Sequence, residues 1–292
     1  MTTLTEHRLR LPLRLPLGGL AHRNVTLLEG PAGWGEWSPL PGYPSDPAVC
    51  RRAAEEAATT QWPQAVRSQV RVNALVPAVT PATAAALATG LADVKVKVGV
   101  DVGSVEVDRV AAVRDAIGPS GRLRVDANGA WGVDQAVSMI GRLAPFDLEL
   151  VEQPVASLED LAEVRRRVRV PLAADECIRT LDDARRLASL GAADALVVKV
   201  QPLGGIAAAL DVIAAAGVPA IVSSMYETSV GLAAGLALAA ALDDLPFACG
   251  LGTAGLLSAD VVADPLLPVD GWLPVRRPVP DPRLLRRYGE GG

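Results

Sequence analysis

The sequence predicts an α/β fold: a closed parallel barrel joined to a smaller α+β segment. Three observations predict it. From about Val70, short β-branched runs that end in polar residues alternate with Ala/Leu-rich stretches. Eight such runs occur, each followed by a stretch of helical length or a short turn. The residues before Val70 differ in style and read as strands, a loop and one helix. Strands alternating with helices pair in parallel, and eight of them close a barrel.

The expected barrel strands are Val70–Val76, Val94–Val100, Leu123–Asp126, Leu148–Glu152, Pro171–Asp175, Ala195–Val200, Ala220–Ser224 and Phe247–Leu251. The helical stretches between them include Pro81–Gly90, Val105–Ile117, Val133–Leu143, Leu158–Val168, Leu181–Leu190, Ile206–Ala216 and Gly231–Leu242. Before the barrel, Val25–Glu29 and Gly35–Trp37 read as strands around a turn at Gly30-Pro31. Pro39–Pro44 is a loop, and Asp46–Thr60 a helix with Asp46 as its cap and Pro47 in its first turn. After Asp260 the chain turns Pro-rich and is expected to pack back on the first segment. The expected division is residues 1–69, completed by 261–292, around a barrel of residues 70–260.

Half of the 292 residues are hydrophobic but only 3% are aromatic, so Ala, Val and Leu must fill the core. A formal net charge of −5 argues against a nucleic-acid partner. The run Arg165-Arg166-Arg167 reads as a solvated helix face. Cys50, Cys177 and Cys249 form neither a CxxC motif nor a disulfide framework. Cys177 has no histidine partner in the barrel, since the two histidines are His7 and His22, so a nucleophilic role is not expected. Arg and Pro interrupt the apolar residues of the N-terminus, and Gly231–Leu242 is too short to span a membrane. The expectation is a cytoplasmic protein without membrane contact.

The placement of charge carries the chemistry. Lys95 and Lys97 lie two apart on one strand and so share a face. Asp126, Glu152, Asp175 and Lys199 each close a later apolar strand, at intervals of 26, 23 and 24 residues. Each interval is one βα unit, and barrel active sites sit at those strand ends. Lys95, Lys97 and Lys199 are the only lysines in the chain, whereas surface lysines would be scattered. Taken singly, Asp126 or Asp175 could be a helix cap and a strand lysine a surface residue. Such residues in register on five successive strands are not explained that way. Three converging carboxylates repel unless a cation sits among them. Oxygen ligands without His or Cys favour Mg²⁺, with Mn²⁺ as a substitute, over zinc. A lysine base needs its pKa lowered from ~10.4 towards ~7–8, and a neighbouring ammonium and metal both push that way. Gly204-Gly205 lacks Walker or dinucleotide spacing and reads as a turn into a helix.

The order Lys-x-Lys, Asp, Glu, Asp, Lys at successive strand ends resembles the enolase superfamily, in its muconate-lactonizing-enzyme subgroup. Gly33–Tyr43, Lys95–Gly99, Arg124–Asn128 and Val222–Gly231 resemble the o-succinylbenzoate synthases of menaquinone biosynthesis. The likeness runs through nearly the whole chain, although a cap helix between Trp62 and Arg71 is missing. The resemblance implies a modified TIM barrel, (β/α)7β, with an α+β capping domain. It implies Mg²⁺ on Asp126, Glu152 and Asp175, Lys97 as base and proton donor, Lys95 tuning it, and Lys199 facing the substrate from the other side. It implies Ser223, Gly250 and Leu251 near a succinyl carboxylate, Arg124 and Asn128 as supports, and closing loops at Gly19–Arg23 and Leu40–Tyr43. The implied substrate is a small cyclohexadiene carboxylate, dehydrated through an enediolate. An N-succinylamino acid racemase would use the same lysines, and a non-catalytic barrel is the reading from another class. A dipeptide epimerase resembles Asp-x-Asp at strand eight, where this chain has Gly250-Leu251-Gly252.

Overall fold

The computed structural model describes residues 3–17, 19–101 and 104–289. In chain order the elements are β1 (Thr5–Leu17), β2 (Leu20–Gly30), β3 (Gly33–Trp37), α1 (Pro47–Thr59), β4 (Gln69–Arg71), β5 (Ala74–Val76), α2 (Pro81–Ala88) and β6 (Asp93–Lys97). Next come α3 (Val105–Ile117), β7 (Arg122–Asp126), α4 (Val133–Leu143), β8 (Leu148–Glu152), α5 (Leu158–Arg167), β9 (Leu172–Ala174) and α6 (Leu181–Leu190). The chain ends with β10 (Ala195–Lys199), α7 (Val200–Leu203), α8 (Ile206–Ala216), β11 (Ala220–Ser223), α9 (Ser229–Ala241), β12 (Trp272–Pro274) and α10 (Pro282–Tyr288).

Strands β5 to β11 form one curled parallel sheet in sequence order. The eighth expected strand survives only as bridges, yet it closes the ring: Cys249 pairs with Val72 on one side and Gly250 with Ser223 on the other. Cys249 N donates to Arg71 O at 2.7 Å and Gly250 N to Val222 O at 2.8 Å. The first expected strand, Val70–Val76, is divided. Its start, β4, pairs antiparallel with β12 from the C-terminal tail, and its end, β5, joins the barrel. The core between strands and helices is built from Ala, Val, Leu and Ile. Helix α9 is apolar on all sides and correspondingly buried along nearly its whole length.

The cap is a three-stranded antiparallel sheet, β1-β2-β3, with α1 against it. Strand β1 was not foreseen. Its side chains alternate with period two, with Leu9 and Leu11 buried and Arg8 and Arg10 exposed. Asp46 caps α1 by accepting from Ala48 N, and Pro47 starts the helix, as expected. Gly35 lets α1 approach the sheet, since a Cβ there would collide with the Ala54 carbonyl. Leu285 and Tyr288 of α10 pack against the Leu9, Leu11 and Val25 cluster. Gly204 and Gly205 form the turn into α8, with φ of 93° and 135°. The N-terminus of α8 is occupied by the Glu56 carboxylate of α1, which accepts from Ile206 N at 2.8 Å. Among the described residues no helix is long and apolar enough to cross a membrane.

Glu36 of β3 docks the cap on the barrel. Its carboxylate accepts from Ser38 Oγ, Gly231 N and the backbone and hydroxyl of Thr228, at the N-terminus of α9. Burial, with the nearby Glu227 carboxylate, raises its pKa from 4.5 to about 7. A carboxyl raised on folding stabilises fully below its unfolded pKa and loses that contribution as pH rises through its folded one. Glu36→Gln, which mimics the protonated acid, should therefore gain on the parent by a few kcal/mol between about pH 4.5 and 7. Denaturant unfolding across that range checks it; a pH-independent difference between the two proteins contradicts it.

Candidate active site

Strand register alone assembles the charged layer. Lys97 lies beside Asp126, Asp126 beside Glu152, and Lys199 beside Ser223. Asp175 follows directly after β9. Beneath this layer the barrel is closed by Leu150, Ala173, Ala195, Val197, Ile221 and Phe247. Above it opens a cavity of about 1160 Å³ lined by Lys95, Lys97, Asp126, Asn128, Asp175 and Lys199. Ser223 and Gly250 line it too, as do Leu20 and Leu40–Tyr43 from the cap. The barrel has eight staves, and β10 stands four from β6, so Lys199 faces the Lys95/Lys97 strand across the cavity.

The two lysines of the Lys-x-Lys pair differ sharply. Lys95 Nζ lies 2.7 Å from Glu152 Oε1 and 3.1 Å from Asp126 Oδ2. Burial works against its charge, but these two carboxylates overcome it and hold its pKa above the ordinary lysine value. Lys97 donates to Asn128 Oδ1 and has no carboxylate within ion-pair distance among the described residues. Burial lowers its pKa, against the pull of Asp126 and Glu176. Burial is the largest cause, and the charge of Lys95 lowers it further as expected. Asn128 ties the pair to its surroundings: its backbone N–H donates to Asp126 Oδ1 at 3.0 Å and its Nδ2 to Glu176 Oε1 at 2.7 Å.

The carboxylates are taken up by the lysines. No three His, Cys, Asp or Glu side chains among the described residues stand at metal-ligating spacing. Instead of meeting at one point, Asp126 and Glu152 share Lys95, and both oxygens of Asp175 accept from Lys199. The reason is electrostatic, since buried like charges separate and each takes the nearest ammonium. The donor set still fits a hard divalent cation: three buried carboxylates on adjacent staves, oxygen only. Glu152 shows the surplus of negative charge. Burial and the nearby Asp126 and Asp175 push it up to about 8, against the pull of Lys95.

Two expected site residues do not line the cavity. Leu251 is buried against Gly235 of α9. Arg124 points into the barrel one layer below. There its Nε donates to Glu149, its Nη1 to Ala248 O at 2.7 Å, and its guanidinium lies 5.6 Å from the Phe247 ring centre. Arg124→Met should therefore cost about 3–5 kcal/mol of stability, the usual effect of breaking a buried ion pair. Its substrate KM should not change. A raised KM at full stability would return Arg124 to the binding site. Arg23, expected in a closing loop, is instead buried in β2.

The expected closing loop Leu40–Tyr43 walls the cavity, while Gln153 and Tyr226, which also line it, were not singled out. Tyr43 reaches down from the cap, its hydroxyl 3.0 Å from Asp175 Oδ1 and 3.3 Å from Lys199 Nζ. The Lys199 ammonium lies 4.5 Å from the Tyr43 ring centre. Gln153 sets Asp175 by accepting from its N–H at 2.6 Å while donating to Val155 O. Asn128, Gln153 and Tyr226 have φ of 43°, 39° and 61° at strand ends around the cavity. Left-handed non-glycine residues cost about 1–3 kcal/mol each and gather at functional sites. Only the position of Gln153 and Asn128 beside Glu152 and Asp126 hinted at this in the sequence.

Residues 79–280 match the family described as enolase C-terminal domain-like, and residues 9–58 the one described as enolase N-terminal domain-like. The o-succinylbenzoate synthase of Thermobifida fusca is 55% identical over 281 residues, 94% of this chain and 88% of that protein. That of Mycobacterium marinum is 46% identical, over 97% of this chain and 88% of that protein. The fold matches muconate lactonizing enzyme from Pseudomonas fluorescens with a TM-score of 0.86 at 20% identity, covering 99% of this chain and 98% of that one.

Proposed function

The chain belongs to the o-succinylbenzoate synthase family of the enolase superfamily, and from that premise we propose how its cavity works. It is a carbon–oxygen lyase that eliminates water from 2-succinyl-6-hydroxy-2,4-cyclohexadiene-1-carboxylate, giving o-succinylbenzoate. The observation that carries the reading is the unequal Lys-x-Lys pair facing Lys199 across the cavity: a fixed cation, a lysine of lowered pKa, and a second cation opposite.

Lys97 Nζ takes the proton from the carbon that bears the ring carboxylate, and the electron pair moves into that carboxylate as an enediolate. The same ammonium returns the proton to the neighbouring hydroxyl, which departs as water, so both events use one face of the ring. The product is aromatic, which drives the step. Lys95 stays protonated and holds Asp126 and Glu152 in place. Lys199 supplies positive charge on the opposite face. Asn128 orients Lys97 between turns of the cycle. Tyr43 and Leu40 cover the mouth and keep water away. Mg²⁺ held by Asp126, Glu152 and Asp175 would supply fixed positive charge for the substrate carboxylate.

The opposed lysines also suit exchange of a proton between two faces, so N-succinylamino acid racemisation is the second reading. A paired assay of dehydration and racemisation on the purified protein with Mg²⁺ separates them. Dehydration with the greater kcat/KM is the expected result. Racemisation alone would overturn the first reading, and neither activity would favour a binding protein.

A further inference from the structure

Arg23 is one of the largest fully buried side chains, with 1% of its surface exposed, yet it makes no ion pair among the described residues. Its guanidinium is spent on four backbone carbonyls from two separate loops. Nη2 donates to Ser38 O and to Met225 O at 3.2 Å, Nη1 to Pro39 O at 3.3 Å, and Nε to Tyr226 O at 3.4 Å. Ser38 and Pro39 lead into Leu40–Tyr43, the cap's wall of the cavity, while Met225 and Tyr226 belong to the barrel's wall. The surrounding groups reinforce the same junction. Gln201 donates to Glu227 Oε1 at 3.0 Å and accepts from Ser38 N at 2.9 Å, and Glu36 holds Thr228. A lysine cannot replace this fork, because it carries one compact ammonium rather than planar donors on three nitrogens.

We propose that Arg23 is a positioning residue that locks the cap loop 38–43 to the barrel loop 225–227, and so sets Tyr43 against Lys199 and Asp175. This rests on the cavity being the active site. Arg23 touches none of the proposed reacting groups and acts through Tyr43 and Tyr226.

The test compares the parent with Arg23→Lys, Arg23→Gln, Tyr43→Phe and the double variant Arg23→Lys/Tyr43→Phe. Amide hydrogen exchange should rise together at residues 40–43 and 225–227 in both Arg23 variants and stay unchanged in the outer barrel helices. With Mg²⁺ and substrate, kcat/KM should fall about 10²-fold in Arg23→Lys, the scale of a misplaced catalytic group. Mg²⁺ affinity should fall no further in Arg23→Lys than in Tyr43→Phe, since both act on Asp175 through the same hydroxyl. The double variant should lose clearly less than the product of the two single losses, because both changes release the same contact. Exchange confined to one loop, or losses that multiply fully, would overturn the proposal. Parent-like kcat/KM in both Arg23 variants would do so too. If the parent itself does not turn over, the active-site reading fails and takes the proposal with it; an active parent with an indifferent Arg23 sinks the proposal alone.

Discussion

Lys97→Ala should lower kcat by about 10²–10⁴-fold, the usual loss on removing a general base, and leave the fold intact. The two halves of that expectation have separate grounds. Lys97 lines the cavity, is only partly buried, and bonds to Asn128 rather than to a carboxylate. Its removal therefore strands no buried counter-charge. Lys95 is the useful contrast. It neutralises Asp126 and Glu152 together, so Lys95→Ala should lose stability as well as activity, by about 3–5 kcal/mol. Steady-state kinetics and thermal unfolding of the two variants distinguish a base from a structural cation. A Lys97→Ala protein with near-parent kcat removes Lys97 from the mechanism.

Asp175→Asn should weaken Mg²⁺ binding by at least about 10–100-fold, the range found when even outer contacts of a metal site are removed. Asparagine keeps the shape and one acceptor but gives up the charge. The Asp175 carboxylate also answers the buried Lys199 ammonium, with Tyr43 as a third partner. Stability should fall too, and the titration belongs well below the unfolding transition. Calorimetric titration with Mg²⁺ checks the prediction, and an unchanged Kd contradicts the ligand role of Asp175.

Much of the site could be read from the sequence because a strand end is a one-dimensional address. Lys97, Asp126, Glu152, Asp175 and Lys199 stand one βα unit apart, and parallel register turns equal spacing into spatial neighbourhood. The same logic misled for Arg124. It shares a face with Asp126 but sits one pleat lower, where the barrel interior is already filled. Leu251 lies at an odd step on the closing segment and faces α9 instead of the cavity. The eighth stave was legible as a strand but forms only isolated bridges. Contacts between distant segments left no local trace. Tyr43 and Arg23 both read as closing-loop residues, and neither reading puts Tyr43 on Lys199 or Arg23 between two other loops. Strand β1 alternates Leu with Arg, but Pro12 inside the run argues against a central strand, and β1 tolerates it as the edge of its sheet.

Deuterium uptake tests the central claim most directly. An analogue of the substrate that keeps the carboxylate and succinyl group but lacks the leaving hydroxyl is incubated in D₂O with Mg²⁺. The parent should place deuterium on the carbon next to the ring carboxylate, and Lys97→Ala should not. Exchange at the parent's rate in Lys97→Ala, or none in the parent, would contradict proton removal by Lys97 in this cavity.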